Sequence, residues 1–360
     1  MAHRVLAGGG IERYTLEVVR HLAARHDVTL VTGRSTAAAI GSAEVREVGS
    51  GRAPEDTRGA ASALAFPIRT LNVGRSGDYD AVYGPVGSVL RGDVVTAHSV
   101  HRAWVEHRRR TERGLTSAFY DWMALAVERA TYRRGRPRIT AVSPRCADDL
   151  SRWYGLDRSV ITIVPPAVDT AVFRPVTRLP GEGVRPVVGT VANYAFHRKG
   201  LRELLRGCAR VDATLAVAGR DPRRERWLAD AARACGADLQ LLGRVNDMPS
   251  FYGSLDAFVL ASGHEAYGMA AHEAMACGVP TLVSQHCGIA DLLGDLRAAS
   301  TVDPADEDQL VEGLRRVVDP NVGARLRDDQ LAWARARTWA HVGEEIEAQL
   351  AGVPSRDTPR

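Results

Sequence analysis

Cysteine is scarce in this chain, and long hydrophobic runs are absent from it. The five cysteines are odd in number and none has a Cys-x-x-Cys spacing, which argues against a disulfide framework and against a zinc site. No apolar run approaches the roughly 18 residues that a membrane-spanning helix needs, and the first predicted strand comes too early to leave room for a signal peptide. We therefore expect a cytoplasmic protein in a reducing compartment.

Lysine is nearly absent: of 47 basic side chains, only Lys199 is a lysine, and the others are arginines. Such a bias is typical of a GC-rich genome that replaces lysine wherever chemistry allows, so a position that keeps lysine could need a compact ammonium group. The alternative is that the one remaining lysine occupies this position by chance. Lys199 lies between a predicted strand at 187–192 and a predicted helix at 201–208, where a cation could neutralise charge on a leaving phosphate.

The chain is long enough for two domains. Its 360 residues, 45% of them hydrophobic, can form two domains of roughly 150 to 180 residues, each with its own core. The net charge of +4 is mild and gives no reason to expect a nucleic-acid partner. Arginines cluster at 101–113 and 132–138, where they could make weak peripheral contact with an anionic membrane, meet an acidic acceptor, or form solvated helix faces.

Short apolar runs alternate with helical patterns along the whole chain, which predicts an α/β architecture with parallel sheets. We predict a first domain at 1–174, a linker at 175–186, a second domain at 187–338, a helix at 339–352 and a disordered tail at 353–360. A first helix is expected at 11–25. The predicted strands are 4–7, 27–31, 81–83, 94–97, 139–142, 160–164, 187–192, 213–218, 239–242, 258–260 and 281–284.

The most informative stretch is residues 261–280, Ala-Ser-Gly-His-Glu-Ala-Tyr-Gly-Met-Ala-Ala-His-Glu-Ala-Met-Ala-Cys-Gly-Val-Pro. It begins as a loop after a predicted buried strand and continues as a helix over 268–277, which Gly278 and Pro280 end. In a parallel βαβ unit, ligands collect at the carboxyl ends of the strands, where helix N-termini point. The loop therefore lies at the ligand-binding edge of its sheet.

The start of this helix predicts an anion site. The N–H groups of Gly268, Met269 and Ala270, together with the positive end of the helix dipole, suit a diphosphate. Glu265 in the loop and Glu273, roughly one and a half turns into the helix, flank that site. Carboxylates only accept hydrogen bonds, so beside a diphosphate they suit hydroxyl groups, one of a sugar ring and one of a ribose. The alternative to an anion site is an ordinary solvated helix with glutamates in its preceding loop and first turns.

The same stretch resembles the family-4 retaining glycosyltransferases. Their hallmark is two glutamates separated by seven residues, within a Ser-x-x-Glu-x-aromatic-Gly…Glu-Ala-Met-Ala-x-Gly-x-Pro frame. The resemblance implies the α/β GT-B fold, in which two Rossmann-like domains face each other across a cleft and a C-terminal helix crosses back to the first domain. The positions that fit the frame are Ser262, Glu265, Tyr267, Gly268, Glu273, Ala274, Met275, Ala276, Gly278 and Pro280.

Roles for these residues follow from the resemblance. It implies that Glu265, in the loop with Tyr267, contacts hydroxyls of the donor sugar and that Glu273 contacts the ribose. It also implies that a diphosphate is held by Lys199 and the amides of Gly268, Met269 and Ala270. Arg198, next to Lys199, is a further candidate for this contact. Family members hold the base mainly through backbone, which here points to Arg244 and Val245.

The chain departs from the family pattern at one position of the donor site. Lys199 and Gly200 fit the family's Lys-Gly, but Asn193 stands nearest to where an arginine is usual. Asparagine can donate a hydrogen bond but brings no charge. Either Arg198 takes over, or donor binding is weaker or differently arranged.

The first half of the chain carries fewer signals. Gly9 and Gly10 precede the first helix, and arginine at position 13 rules out a Gly-x-Gly-x-x-Gly nicotinamide fingerprint. The resemblance implies that this turn faces donor phosphate or sugar, while a plain strand-to-helix turn is the alternative. His98 follows a predicted strand, and the resemblance puts it near the donor sugar as a catalytic candidate. His101 competes for that role, and a structural histidine is the other interpretation.

The sequence therefore predicts a hexosyltransferase that moves a sugar from a nucleotide-sugar donor to a small-molecule, lipid-linked or glycan acceptor. The resemblance implies retention of configuration by a front-face mechanism, no metal and no other cofactor, with His98, Glu265 and Lys199 as catalytic residues. Alternatives are a pyridoxal-phosphate phosphorylase, for which Lys199 is the one available Schiff-base lysine, and a catalytically inactive sugar-nucleotide binder. An epimerase on the same fold is a more distant third.

Overall fold

The structure is a computed structural model, and it describes residues 9–33, 40–48, 66–71, 79–111, 118–133, 136–175, 185–193, 196 and 198–354. The chain divides into two compact units. Unit 1 comprises Met1–Pro166 and Trp339–Arg360, and unit 2 comprises Ala167–Thr338. The predicted strand at 4–7, most of the predicted linker and residues 355–360 of the predicted tail lie outside the described residues.

Unit 1 pairs its described strands in parallel, in a two-stranded sheet of order β1-β2 and a four-stranded sheet of order β3-β4-β5-β6. Helices connect β4 to β5 and β5 to β6, in the alternation that the sequence predicts. The elements are α1 Gly10–Ala23, β1 Thr29–Thr32, β2 Glu44–Glu47, β3 Tyr83–Pro85, β4 Val94–Ala97, α2 His101–Thr111, α3 Ala118–Arg133, β5 Arg138–Ala141, α4 Pro144–Tyr154 and β6 Ile161–Ile163, with the C-terminal helix α12 Trp339–Ala351.

The C-terminal helix belongs to unit 1, as the fold prediction requires, and packs against α1. The two helices approach closely at Gly343, where a Cβ atom would lie 2.1 Å from the His21 ring. At the surface, Glu347 accepts a hydrogen bond from His26 at 2.7 Å and lies 3.2 Å from an Arg25 nitrogen. The close approach at Gly343 determines how α12 packs on α1, and the exposed ion pairs beside it add little stability.

Unit 2 contains a six-stranded sheet in which every pair of neighbours is parallel. Its order is β12-β11-β10-β7-β8-β9, which is the 3-2-1-4-5-6 order of a doubly wound Rossmann sheet. Its elements are β7 Val187–Val191, α5 Leu201–Arg210, β8 Thr214–Ala218, α6 Glu225–Cys235, β9 Asp238–Gly243, α7 Met248–Gly253, β10 Ala257–Leu260, α8 Met269–Ala276, β11 Thr281–Ser284, α9 Arg297–Ser300, β12 Thr301–Val302, α10 Glu307–Val318 and α11 Pro320–Ala336.

The core of unit 2 lies between this sheet and the helices that cover it. The strands β8, β10 and β11 are buried over their whole length, as a parallel sheet covered on both faces requires. The helix α5 directs Leu201, Leu204 and Leu205 into the same cluster, and all three are fully buried. At Gly207, a Cβ atom would lie 2.7 Å from Leu314 of α10, so a residue without a side chain lets these two helices pack closely.

Most predicted strands are observed with boundaries shifted by one or two residues. The strands β4 and β11 match their predictions, whereas β3 lies two residues later than predicted. The sequence pattern missed β2, whose charged residues are largely exposed, and β12, which has only two residues. Within the described ranges, no helix combines the length and the apolar character that crossing a bilayer requires.

Candidate functional site

The switch point of the unit 2 sheet brings together two segments that are far apart in sequence. The neighbouring strands β7 and β10 are parallel, but the chain leaves β7 toward β8 and leaves β10 toward β11. Loops that leave neighbouring strands in opposite directions open a crevice at the carboxyl edge of the sheet, where ligands bind in such folds. The loop after β7 carries Arg198 and Lys199, and the loop after β10 carries Glu265.

Lys199 and Glu265 are in direct contact. The Lys199 ammonium donates a hydrogen bond to Glu265 Oε2 at 2.5 Å, and a guanidinium nitrogen of Arg198 lies 3.5 Å from the same oxygen. The side chains of Lys199 and Glu265 are only 14% and 20% exposed. The Gly263 N–H also donates to the Arg198 carbonyl at 3.0 Å, which joins the two loops through their backbone. The sequence predicted these three side chains as site residues but not their contact.

Glu265 is ionised in this environment. Burial alone raises its pKa, but attraction to Lys199 and then to Arg198, with the hydrogen bond from Lys199, lowers the pKa below the ordinary glutamate value overall. An ionised carboxylate offers only acceptor positions. The site therefore places two cations beside one strong acceptor of hydroxyl hydrogen bonds.

Gly200 makes this arrangement sterically possible. Its φ of 65° lies in the left-handed region, and a Cβ atom there would lie 2.2 Å from the carbonyl oxygen of Ala261. The loop after β7 thus approaches the end of β10 more closely than a residue with a side chain allows. This close approach positions Lys199 against Glu265.

The predicted anion site lies at the first turn of α8. Gly268 precedes that helix with a φ of 116°, and α8 begins at Met269. The amides of Gly268, Met269 and Ala270 donate to no other described residue, as expected at a helix N-terminus. The Gly268 backbone lies against Glu265, whose Cγ is 3.9 Å from the position of an added Cβ. The free amides and the Lys199–Glu265 pair therefore belong to one site.

Glu273 is held by a residue that the sequence pattern did not indicate. The buried Tyr252 hydroxyl donates to Glu273 Oε2 at 2.9 Å. The Tyr252 ring packs among Phe173, Phe251 and Phe258 at centroid distances of 5.5 to 6.2 Å. Tyr252 lies on the short helix α7, with no sequence motif to mark it. The contact orients one carboxylate oxygen of Glu273.

The Tyr267 side chain is directed into the protein rather than toward solvent. It is 5% exposed, and its hydroxyl lies 2.8 Å from His272 Nδ1, while His272 Nε2 lies 3.1 Å from the carbonyl oxygen of Ala334. Because a carbonyl only accepts, Nε2 must carry the proton and Tyr267 must donate to Nδ1. Burial lowers the pKa of His272 to about 4, so the ring is neutral. The Tyr267 side chain therefore anchors the loop from inside.

Three more predicted donor residues lie at this edge of the sheet: Asn193, Arg244 and Val245. Asn193 is exposed after β7, and its Oδ1 accepts a hydrogen bond from the Arg220 N–H at 3.1 Å. Its carbonyl group thus holds the loop after β8 in place. Arg244 and Val245 follow β9, two strands from β7, which corresponds to roughly 10 Å at the usual strand spacing.

The predicted residues of unit 1 lie at the ends of α1 and β4. Gly9 precedes α1 and Gly10 begins it, and a Cβ atom at Gly9 would overlap the Glu12 carboxylate. His98 follows β4 with its ring edge-on to Tyr14 at 4.7 Å, and its buried Nε2 has no hydrogen-bond partner among the described residues. Burial lowers the pKa of His98 to about 3, so it is neutral.

His101, the competing histidine, has a hydrogen-bond partner for its ring within unit 1, whereas His98 Nε2 has none among the described residues. Its Nε2 lies 3.2 Å from an Asp121 carboxylate oxygen, and Arg108 binds the other oxygen of that carboxylate. Burial lowers the pKa of His101, and the hydrogen bond and charge of Asp121 offset this only in part, so the pKa lies below its ordinary value. Among the described residues, there is no group of three or more His, Cys, Asp or Glu side chains arranged to hold a metal ion.

These features define a two-unit α/β protein of the GT-B architecture, with a cationic crevice at the switch point of its second Rossmann-like sheet. Two family models match the chain. The model described as Glycosyltransferase Family 4 matches residues 8–172, and the one described as Glycosyl transferases group 1 matches residues 185–319. The chain belongs to the family-4, group 1 glycosyltransferases.

Individual relatives support this assignment. The chain is 33% identical over 245 residues to the 2-deoxystreptamine N-acetyl-D-glucosaminyltransferase of Streptomyces fradiae, an alignment that covers 62% of this chain and spans 56% of that enzyme. It is 28% identical to a probable transglycosylase of Burkholderia thailandensis, over 88% of this chain and 83% of the relative. The crystal structure of WaaG, a glycosyltransferase involved in lipopolysaccharide biosynthesis, has the same fold, with a TM-score of 0.76, 19% identity, and coverage of 98% of this chain and 100% of that one.

These comparisons do not favour the alternatives that the sequence left open, the phosphorylase and the inactive binder. Both family models and the Streptomyces relative are described as glycosyltransferases. The single lysine, moreover, donates a hydrogen bond to the Glu265 carboxylate.

Proposed function

We propose that this chain transfers a glycosyl group from a nucleoside-diphosphate sugar to an acceptor hydroxyl, with retention of the anomeric configuration. The observation that carries the proposal is the contact of Lys199 and Arg198 with Glu265 beside the first turn of α8. A diphosphate needs cations and free amides, while the sugar attached to it needs an acceptor for its hydroxyl hydrogens. At this site the Lys199 ammonium and the Glu265 carboxylate are one hydrogen bond apart, and the free amides of α8 lie beside them.

The donor would lie along the carboxyl edge of the unit 2 sheet. Its diphosphate would contact Lys199, Arg198 and the amides of Gly268 to Ala270, and its sugar would contact Glu265. The ribose hydroxyls would bind Glu273, which Tyr252 orients, and the base would lie against Arg244 and Val245. In this arrangement the chain itself supplies the positive charge that stabilises the leaving diphosphate, and no metal ion is required.

The transfer itself follows from where the charges lie. As the bond between the anomeric carbon and the phosphate oxygen breaks, negative charge grows on the diphosphate, where Lys199 and Arg198 stabilise it. The acceptor oxygen bonds to the anomeric carbon on the face of the sugar from which the phosphate departs. The proton of the acceptor hydroxyl passes to the departing phosphate oxygen. Glu265 binds sugar hydroxyls and forms no covalent bond. A small-molecule, lipid-linked or glycan acceptor supplies the hydroxyl.

Two substitutions test this proposal. We expect Lys199→Ala and Glu265→Ala to lower turnover roughly 100-fold or more, as removal of one stabilising group from an oxyanion site does. Turnover is measured as release of nucleoside diphosphate from a panel of nucleotide sugars. Arg206→Ala, on the exposed face of α5, is the matched control and should leave turnover unchanged. Near-normal turnover in both site variants would refute the proposal. NMR of the product anomer tests retention separately.

A further inference from the structure

The helix α3 of unit 1 has an unusual outward face. Residues 119, 122, 126, 129 and 133 follow helical spacing, and all five side chains are exposed. We name this set the α3 face. Phe119 and Trp122 are 68% and 65% exposed and lie 6.1 Å apart as a stacked pair. Ala126 continues the apolar half of the face, and Arg129 and Arg133 form its other half.

The acidic residues of this helix are buried. Asp121 is 8% exposed and Glu128 is 4% exposed. Asp121 contacts Arg108 and His101 of α2, while Glu128 accepts hydrogen bonds from the Tyr154 hydroxyl and from the His101 N–H. A helix exposed only to water normally buries its large aromatic residues and exposes its carboxylates. In α3, Tyr132 is buried as expected, but Phe119 and Trp122 are exposed and both carboxylates are buried.

The surroundings add positive charge to the α3 face. Arg102 and Arg152 lie over the Trp153 ring at 5.4 and 5.1 Å. Arg129 and Arg133 border a small cavity of about 110 Å³, which is also lined by Tyr132, Trp153, Tyr154 and Leu156. The face therefore combines exposed aromatic rings with cations, and it carries no carboxylate of α3.

We propose that the α3 face docks the protein on a lipid bilayer that contains anionic phospholipids. Tryptophan and phenylalanine are the side chains that enter the region between headgroups and acyl chains, and arginines bind lipid phosphates at the same depth. The apolar half spans roughly 10 Å along the helix and the cationic half a further 10 Å, so a helix lying flat brings both into the interface. A face that carries arginines and no carboxylate of its own helix complements an anionic membrane surface.

Vesicle sedimentation with the full-length protein tests this inference without any donor or acceptor. Vesicles of pure phosphatidylcholine are compared with vesicles in which part of it is replaced by phosphatidylglycerol. We expect binding to the anionic vesicles that weakens with added salt, and little binding to the neutral ones. The variants Phe119→Ser with Trp122→Ser, and Arg129→Glu with Arg133→Glu, should each weaken binding about ten-fold or more.

The matched control uses an exposed apolar residue and an exposed arginine of α11. Val322→Ser with Arg325→Glu changes the same chemistry in unit 2 and should leave vesicle binding unchanged. Circular dichroism of each variant shows whether its helical content is retained. The inference is overturned by a wild-type protein that stays in the supernatant with anionic vesicles, or by α3-face variants that bind as well as the control. It is also overturned by a concentration-dependent dimer that the Phe119 and Trp122 changes abolish, because the face would then bind a second copy.

Discussion

At the scale of single residues, the site depends on how Glu265 is held. A carboxylate this little exposed is destabilised by loss of hydration, and the two cations beside it reverse that cost. The result is an acceptor that stays ionised at neutral pH and is fixed in position by Lys199. Such a group can bind sugar hydroxyls without the entropy cost of ordering a mobile side chain.

The lowered pKa of Glu265 has a consequence for stability. Because its pKa in the folded chain lies below the ordinary value of 4.5, its contribution is complete above that value and is lost as the pH falls through the lowered folded-state pKa. We expect the wild type to lose more unfolding free energy between about pH 6 and about pH 3 than Glu265→Gln does. Urea unfolding at both pH values measures the difference.

Glu312→Gln is the control for this experiment, since the Glu312 side chain is 70% exposed and its distance to Arg315 is 4.0 Å. It should lose as much stability as the wild type on acidification. A Glu265→Gln variant with the same pH dependence as the wild type would contradict the described role of the ion pair.

The sequence named Lys199 and Glu265 for separate reasons, one from composition and one from the spacing of two glutamates. It could not show that they touch, because 66 residues separate them and their contact depends on β7 lying next to β10. Tyr252 was missed for a related reason. Its contact with Glu273 comes from the packing of α7, and no periodic pattern records that packing.

At the scale of elements, two left-handed glycines at helix ends offer a matched comparison. Gly200 precedes α5 with a φ of 65°, and Gly155 follows α4 with a φ of 66°. A Cβ atom at Gly200 would overlap the Ala261 carbonyl, whereas one at Gly155 would meet nothing within 4 Å. Both alanine variants incur the left-handed backbone cost, and only one incurs a steric clash.

We therefore predict that Gly155→Ala destabilises the protein by about 1 kcal/mol and Gly200→Ala by about 3 kcal/mol or more. Urea unfolding of both variants at neutral pH measures this difference. Only Gly200→Ala should also weaken binding of a nucleoside diphosphate, because it displaces Lys199. Equal destabilisation by the two substitutions would show that the loops after β7 and β10 are not in close contact.

The helix α7 contributes a second prediction through Tyr252. In Tyr252→Phe, Glu273 loses the hydrogen bond that orients it, so the donor KM should rise about three- to ten-fold, with a smaller effect on kcat. Steady-state kinetics with varied donor separates the two parameters.

Tyr154→Phe removes the same kind of hydrogen bond, from Tyr154 to Glu128 in unit 1, and should leave the donor KM unchanged. Equal KM values for Tyr252→Phe and the wild type would argue against Glu273 as a donor contact.

The elements themselves were predictable to different degrees. Strands such as β4 and β11 are fully buried, so their sequences are short apolar runs with clear ends. The strand β2 carries charged, largely exposed residues and gives no such signal. The sequence of α2 and α3 gave only clustered arginines, because α3 exposes Phe119 and Trp122 and buries Asp121 and Glu128, which breaks the usual amphipathic pattern.

At the scale of the whole molecule, the chain has the architecture of its family, and the switch point of the unit 2 sheet sets the position of the candidate site. The resemblance in residues 261–280 was enough to predict a GT-B fold, and both family models and the similar structures confirm it. The positions of the predicted domain boundaries stay a prediction. Local sequence patterns do not record which strands become neighbours, so the strand order of unit 2 followed only from the resemblance to Rossmann-like domains.

A crystal structure with a bound nucleoside diphosphate tests the central claim most directly. The account predicts that the diphosphate oxygens lie within hydrogen-bond distance of the Lys199 ammonium and of the amides of Gly268 to Ala270. It also predicts ribose hydroxyls on Glu273. A diphosphate bound elsewhere on the chain, with Lys199 still on Glu265 and the first turn of α8 without ligand, would contradict the account.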